Sequence, residues 1–133
     1  MIAGVADTHA AIWHLYGDAR LSPVAGGLIV RAAAAGKQIV ISPITLAEIV
    51  YLIEKNRIAA DVYADVRAAI GDPEHVFKEA PFTVEVVECM RRIPRSDVAD
   101  MPDRIIAATA LYLGVPVISR DARIRSGGLQ TVW

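Results

Sequence analysis

Four acidic residues from distant parts of the chain have the type and placement needed for joint chemistry: Asp7, Glu48, Asp103 and Asp121. Carboxylates that are held close together repel one another unless a cation neutralises them. Without a cysteine or a pair of histidines among its ligands, such a cluster selects hard ions that prefer oxygen, namely Mg²⁺ or Mn²⁺. A water held by such an ion becomes a nucleophile near neutral pH, and the ion stabilises the oxygens of a phosphoryl displacement. These residue types are therefore consistent with hydrolysis of a phosphodiester bond.

Considered one at a time, some of the four acids indicate a functional site more strongly than others. Asp7 ends a buried apolar run, and Glu48 lies within the apolar stretch 44–50, where an acid should be paired or ligated. Asp103 also fits a structural role in the first turn of a helix, where negative charge is favoured. Asp121 also fits an ordinary turn after a strand. The prediction of a site therefore depends on a fold that brings all four together.

The elements that must position these acids alternate between strand and helix. Apolar, β-branched runs predict strands over residues 2–6, 38–41, 76–80, 115–119 and 129–132. Helical periodicity predicts helices over residues 8–16, 21–36, 42–56, 61–70, 83–93 and 102–113. The pairs Ser22-Pro23 and Ser42-Pro43 are typical helix starts, with a capping serine before proline at the first helical position. This alternation favours a parallel sheet with helices on both faces.

The predicted sheet gives the acids a common location. Ligands of an open parallel sheet bind beyond the carboxyl ends of its strands, where the strand order reverses. Asp7 follows the first strand, Asp121 follows the fourth, and Asp103 opens the helix that precedes the fourth. Glu48 lies about two turns into the helix that leaves the second strand, so its side chain can reach the same edge. We therefore expect the four carboxylates to converge there.

Length and composition narrow the class of protein. The chain has 133 residues, of which 54% are apolar, and a formal net charge of −1. This size favours one domain spanning residues 1–133. No apolar run is long enough to cross a membrane, the amino terminus lacks the pattern of a signal peptide, and Cys89 is the one cysteine. We therefore expect a cytoplasmic protein with no membrane contact. Omitting the four acids from the sum changes the net charge from −1 to +3, so a cation-loaded site would not repel a polyanion.

Arginine is concentrated in the last third of the chain. Seven arginines and four acids lie between residue 91 and the end, and no lysine follows Lys78. The planar guanidinium suits the recognition of phosphate, although a set of solvated faces explains the same bias. The candidate phosphate contacts near the predicted site, which would be RNA contacts if the substrate is RNA, are Arg104, Arg120, Arg123 and Arg125.

Four sequence blocks in order resemble the PIN-domain family, and within it the VapC-type toxins of bacterial toxin–antitoxin pairs. The blocks are DTHAAIW from Asp7, SPITLAEI from Ser42, DRIIAATA from Asp103 and ISRD ending at Asp121. They span nearly the whole chain, and four blocks at suitable spacing are a more specific signal than any one of them.

The resemblance implies a three-layer α/β/α fold with a central parallel sheet of about five strands, and an endoribonuclease that depends on Mg²⁺ or Mn²⁺. It places Asp7, Glu48, Asp103 and Asp121 at the acidic positions of the family, with Asp100 as a further metal-binding candidate. It also implies supporting roles for the hydroxyls of Thr8 and Ser119. The implied partners are a VapB-like antitoxin, an RNA substrate and a second copy of the chain.

Other readings of the same residues stay open to different degrees. A phosphatase of the haloacid-dehalogenase type would need an acid two residues after Asp7, where His9 stands, and a late lysine. No glycine-rich phosphate loop is present. A PIN nuclease of RNA processing and a PIN module that binds without catalysis both stay possible. The roles of His9, the number of metal ions and the RNA that is cut are left open by the sequence.

Overall fold

The computed structural model describes residues 1–121, 124 and 129–133. Within them the chain forms five strands: β1 (Ile2–Ala6), β2 (Gln38–Ile41), β3 (Phe77–Glu79), β4 (Val117–Ile118) and β5 (Thr131–Val132). The helices of the same residues are α1 (Thr8–Leu15), α2 (Pro23–Ala34), α3 (Pro43–Glu54), α4 (Asp61–Gly71), α5 (Val84–Met90) and α6 (Met101–Leu113). Every predicted element is present, and most differences are confined to element ends. None of the helices in the described residues is long and apolar enough to cross a membrane.

The strands form one parallel sheet in the order β3-β2-β1-β4-β5. The chain therefore builds outward from β1 in one direction through β2 and β3, and in the other through β4 and β5. The reversal of strand order lies between β1 and β4, which pair through Val5 with Val117 and Ala6 with Ile118. The predicted three-layer α/β/α fold with a five-stranded parallel sheet is confirmed.

The helices cover both faces of the sheet because alternate strand residues point to opposite sides. Val5 and Val40 pack with side chains of α5 and α6 on one face. Ala6 and Ile39 pack with side chains of α1 and α2 on the other. A third apolar cluster joins α1, α3 and α4 at the side of the sheet.

The helix starts follow from the capping residues in the sequence. Ser22 Oγ accepts a hydrogen bond from Ala25 N at 3.1 Å, and Ser42 Oγ accepts one from Ile44 N at 3.2 Å. Each serine precedes a proline, whose missing N–H is not needed in the first turn. These caps fix where α2 and α3 begin, and α3 carries Glu48 from the end of β2 toward the reversal of strand order.

Candidate functional site

Asp7 directly follows β1, and it makes one hydrogen bond through its side chain and one through its backbone N–H. Its Oδ1 caps α1 by accepting a hydrogen bond from Ala10 N at 2.8 Å. Its own backbone N–H donates to Ile118 O of β4 at 3.0 Å, which ties the residue to the neighbouring strand. Burial raises the pKa of this carboxyl, and the hydrogen bonds from Ser119 and Ala10 offset part of that effect. Asp7 is thus a largely buried acid held in place by main-chain and side-chain contacts.

Glu48 is held by a pair of buried hydroxyls. Thr8 Oγ1 donates to Glu48 Oε1 at 2.5 Å, and Thr8 Oγ1 lies 3.2 Å from Thr45 Oγ1. Thr8 and Thr45 are both almost completely buried. A carboxylate only accepts hydrogen bonds, so the single hydroxyl hydrogen of Thr8 points to Glu48 and Thr45 donates to Thr8. This contact fixes one oxygen of Glu48 and leaves the other for a ligand.

The negative charges of all the other candidate acids affect the pKa of Asp103. Burial raises the pKa of Asp103 to about 7, with further contributions from the negative charges of Asp100, Glu48, Asp121 and Asp7. Asp100 Oδ1 accepts a hydrogen bond from Asp103 N at 3.1 Å, so Asp100 is the cap of α6 as well as a neighbour in the acidic group. The other four acids predicted from the sequence are therefore close enough to Asp103 for their charges to raise its pKa.

Ser119 connects the ends of β1 and β4. Its hydroxyl accepts a hydrogen bond from Asp121 N at 3.0 Å, and its interaction with the Asp7 carboxylate favours the ionised form of that acid and so lowers its pKa. The hydroxyl is buried, and the backbone N–H of Ser119 donates to Val132 O of β5 at 3.2 Å. Ser119 thus holds Asp7 and Asp121 on the same side of the sheet edge.

These acids line a cavity of about 340 Å³ at the reversal of strand order. The lining residues are Asp7, Thr8, His9, Trp13, Glu48, Asp100, Asp103, Arg120 and Asp121. In the described part of the chain, no three acidic, histidine or cysteine side chains stand close enough together to form a metal site as they are placed here. The donor set nevertheless fits a hard divalent cation, because five carboxylates share the cavity, where burial and the repulsion of the other four raise the pKa of Asp103.

The four candidate arginines are placed differently from one another. Arg120 lines the acidic cavity and is exposed. Arg104 does not line it: its Nη2 donates to Met90 O at 2.8 Å and to Ile93 O at 3.0 Å, which joins the segment after α5 to α6. This geometry favours a structural role for Arg104 rather than the predicted RNA contact. Arg123 and Arg125 lie outside the described residues.

Sequence reasoning gave too little weight to three residues of this region. The sequence leaves the role of His9 open and gives Trp13 no role in the site, yet both line the cavity, and Trp13 also packs in the apolar core. Their rings lie 5.4 Å apart between centroids. Thr45 was not singled out, although its spacing of three residues before Glu48 places both on one face of α3. That spacing is the signal by which Thr45 could have been found.

Comparison with known proteins agrees with this fold. The family model of the PIN domain matches residues 5–128, and the chain belongs to the PIN-domain family. No curated protein matches the chain. The fold is similar to that of a chain in the crystal structure of VapBC2 from Rickettsia felis bound to a DNA fragment from their promoter. That similarity has a TM-score of 0.70 at 14% identity, and it covers 98% of this chain and 97% of the other.

Proposed function

We propose that this protein is a metal-dependent endoribonuclease and the toxin component of a VapBC-like toxin–antitoxin pair. The observation that carries the proposal is the acidic cavity at the reversal of strand order, where burial and four neighbouring acids raise the pKa of Asp103 to about 7. The carboxylates of such a cavity repel one another unless a cation neutralises them. Membership of the PIN-domain family, whose members are generally nucleases, supports the same reading.

Each acid has a role in holding the cation, which is Mg²⁺ or Mn²⁺ in this proposal. Asp7, Glu48, Asp103 and Asp121 provide the carboxylate oxygens, and Asp100 adds charge at the rim. When bound, the ion supplies a nucleophilic water and neutralises charge on the phosphate that is cut. The hydroxyl of Thr8 orients Glu48, and that of Ser119 stabilises the ionised form of Asp7. No side chain is required to act as a nucleophile.

An antitoxin and a second copy of the chain are the proposed protein partners. The structure from Rickettsia felis with a similar fold is a VapBC2 complex, which supports an antitoxin of the VapB type. Exposed apolar side chains on α3, Val50 at 40% and Tyr51 at 57% exposure, support a covered outer face in a homodimer. A monomeric mass by light scattering at micromolar concentration would count against the homodimer. We place the protein in the cytoplasm, where its RNA substrates are.

The test is cleavage of RNA by the purified protein with Mg²⁺, with Mn²⁺ and with EDTA. The Asp7→Asn variant removes the charge but keeps an oxygen that can accept the hydrogen bond from Ala10 N, so α1 stays capped. Asp72→Asn is the matched control, because Asp72 Oδ1 accepts from Glu74 N at 2.9 Å in an exposed turn outside the cavity.

We expect cleavage that requires the metal, is lost in Asp7→Asn and is kept in Asp72→Asn. Cleavage that persists in EDTA, or equally in both variants, would contradict the proposed site. Binding of Mn²⁺ by calorimetry without cleavage of any RNA would instead favour a PIN module that binds its ligand without catalysis.

A further inference from the structure

Trp13 of α1 separates the acidic cavity from a second cavity. Its indole is only 5% exposed and packs in the apolar cluster of α1, α3 and α4. It lines the acidic cavity on one side and, on the other, a cavity of about 320 Å³ whose lining includes Tyr16, Asp18 and Arg20. The side chain is therefore a fixed wall between the two cavities.

Two arginines from separate parts of the chain lie over this one ring. The guanidinium carbon of Arg120 is 4.9 Å from the ring centroid of Trp13, and that of Arg20 is 5.0 Å from it. Both distances are within the range of cation–π attraction, which is strongest for tryptophan. The two arginines thus share a platform at nearly equal distance.

Their other contacts separate them. Arg20 donates to both carboxylate oxygens of Asp18, at 3.1 and 2.7 Å, so its charge is already matched. Arg120 makes no hydrogen bond or ion pair among the described residues, and its contact there is the face of Trp13. Arg120 lines the acidic cavity, whereas Arg20 lines the second one.

The lack of an ion pair at Arg120, within the part of the chain that the structure describes, needs a physical cause. Arg120 shares its cavity with five carboxylates, and a long flexible cation is expected to fold onto one of them. The indole of Trp13 offers the guanidinium a competing contact on its face. Held there, Arg120 neither fills the cation site nor neutralises its ligands, and its planar donors stay available to an anion at the mouth of the cavity.

We propose that Trp13 is a positioning residue that holds Arg120 at the mouth of the acidic cavity, where Arg120 binds a backbone phosphate of the RNA beside the bond that is cut. The inference rests on the proposed function for its substrate. It adds a substrate-binding residue distinguished from its neighbour Arg20, and a residue that holds it in place.

Fluorescence anisotropy with a short, labelled, single-stranded RNA of mixed sequence tests the role of Arg120. The protein carries Asp7→Asn to prevent cleavage, and Mg²⁺ is present. We expect Arg120→Gln to weaken binding about tenfold, as for loss of one charged hydrogen bond. The slope of log affinity against log salt should fall by about 0.7, the value for one phosphate contact in a single strand. Arg20→Gln is the matched control, because it removes the other arginine that lies over the Trp13 ring. We expect the RNA affinity of this variant to stay within about twofold of that of the parent protein.

A double-mutant cycle tests the role of Trp13. Trp13→Leu removes the platform and should weaken RNA binding as much as Arg120→Gln does, while Trp13→Phe should keep most of the affinity because it keeps an aromatic face. In the Arg120→Gln background, Trp13→Leu should have no further effect on affinity. A merely structural role would instead reduce the affinity in both backgrounds.

The outcomes separate this inference from the proposed function. Equal affinities of Arg120→Gln and Arg20→Gln, or no binding of the RNA by the parent protein, would overturn the inference even if the wild-type protein cleaves RNA. A selective loss in Arg120→Gln together with no cleavage by the wild type would support the binding of an RNA phosphate by Arg120 and contradict the nuclease proposal. Additive losses of Trp13→Leu and Arg120→Gln would overturn the positioning role of Trp13.

Discussion

Replacing Asp103 with asparagine should make the metal-free protein more stable, although it removes a proposed metal ligand. Burial and the surrounding acids raise the pKa of Asp103 from 3.8 to about 7. A rise of this size corresponds to about 4 kcal/mol of unfavourable free energy for the ionised form in the folded state. Because the side chain is only partly buried, solvent screening reduces the expected effect to about 2 kcal/mol. Asparagine has nearly the same shape and carries no charge, so it should recover this free energy.

The dependence of this effect on pH identifies its cause. A raised pKa means that the folded protein binds the proton more tightly than the unfolded chain, so the associated stabilisation is complete below pH 3.8 and is lost as the pH rises through about 7. Asparagine does not titrate. The advantage of Asp103→Asn over the wild type should therefore be largest near pH 8 and disappear near pH 4.

Urea denaturation in EDTA, followed by far-UV circular dichroism across this pH range, measures the difference. Glu79→Gln is the control, because Glu79 is an exposed acid at the end of β3 and does not line the acidic cavity. Equal stability of Asp103→Asn and the wild type at pH 8 would refute the reasoning, as would a difference that does not shrink on acidification. With saturating Mn²⁺ the order should reverse, because binding to the folded state stabilises the wild type more.

Three further predictions concern one contact in the site and two features elsewhere in the fold. Thr8→Val removes the hydrogen bond to Glu48 Oε1 and should weaken Mn²⁺ binding in calorimetry about tenfold. Arg104→Met removes two hydrogen bonds to backbone carbonyls and should lower the free energy of unfolding by about 2 kcal/mol in urea denaturation. Burial lowers the pKa of both His14 and His75, so the folded state resists their protonation. Their contribution to stability should fall as the pH drops below about 6.5, and His14→Gln should remove part of that loss in denaturation at successive pH values.

Each of these predictions has a comparison within the chain. Thr109→Val removes a buried hydroxyl that bonds Ile105 O at 2.7 Å within α6, and it should leave Mn²⁺ binding unchanged. Arg91→Gln removes an exposed ion pair with Glu88 and should change stability by less than about 0.5 kcal/mol. A pH profile of His14→Gln that parallels the wild type would exclude His14 as a source of acid sensitivity.

Much of the fold could be predicted because local signals in the sequence agree with the tertiary structure. The apolar run before Asp7 is β1 with the predicted bounds, and the Ser-Pro pairs mark the starts of α2 and α3. The predicted helix over residues 83–93 ends early, at Met90. Ile93 precedes a proline, which disfavours helical conformation, and its carbonyl accepts a hydrogen bond from Arg104.

The composition of the candidate site was partly predictable for a different reason. The ends of parallel strands meet at one edge, so the acids after β1 and β4 could be expected to lie together once the strands were identified. The strand order could not be predicted in this way, because it depends on packing between distant segments. The stacking of Arg120 and Arg20 on Trp13 was equally inaccessible, since the periodicity of α1 identifies a buried face but not the cations that reach it.

The placement of Trp13 also has a spectroscopic consequence. The chain has two tryptophans, and the second, Trp133, lies with its ring centroid 5.8 Å from that of Trp13 in an edge-to-face arrangement. Two indoles at this separation are expected to couple their electronic transitions, so the near-ultraviolet circular dichroism should contain a paired signal from this one location. The signal would report the packing where α1 meets the carboxy-terminal residues and the two cavities. An inactive variant that keeps this signal is impaired in catalysis or binding but keeps its local structure. A variant that loses the signal has lost the packing around Trp13.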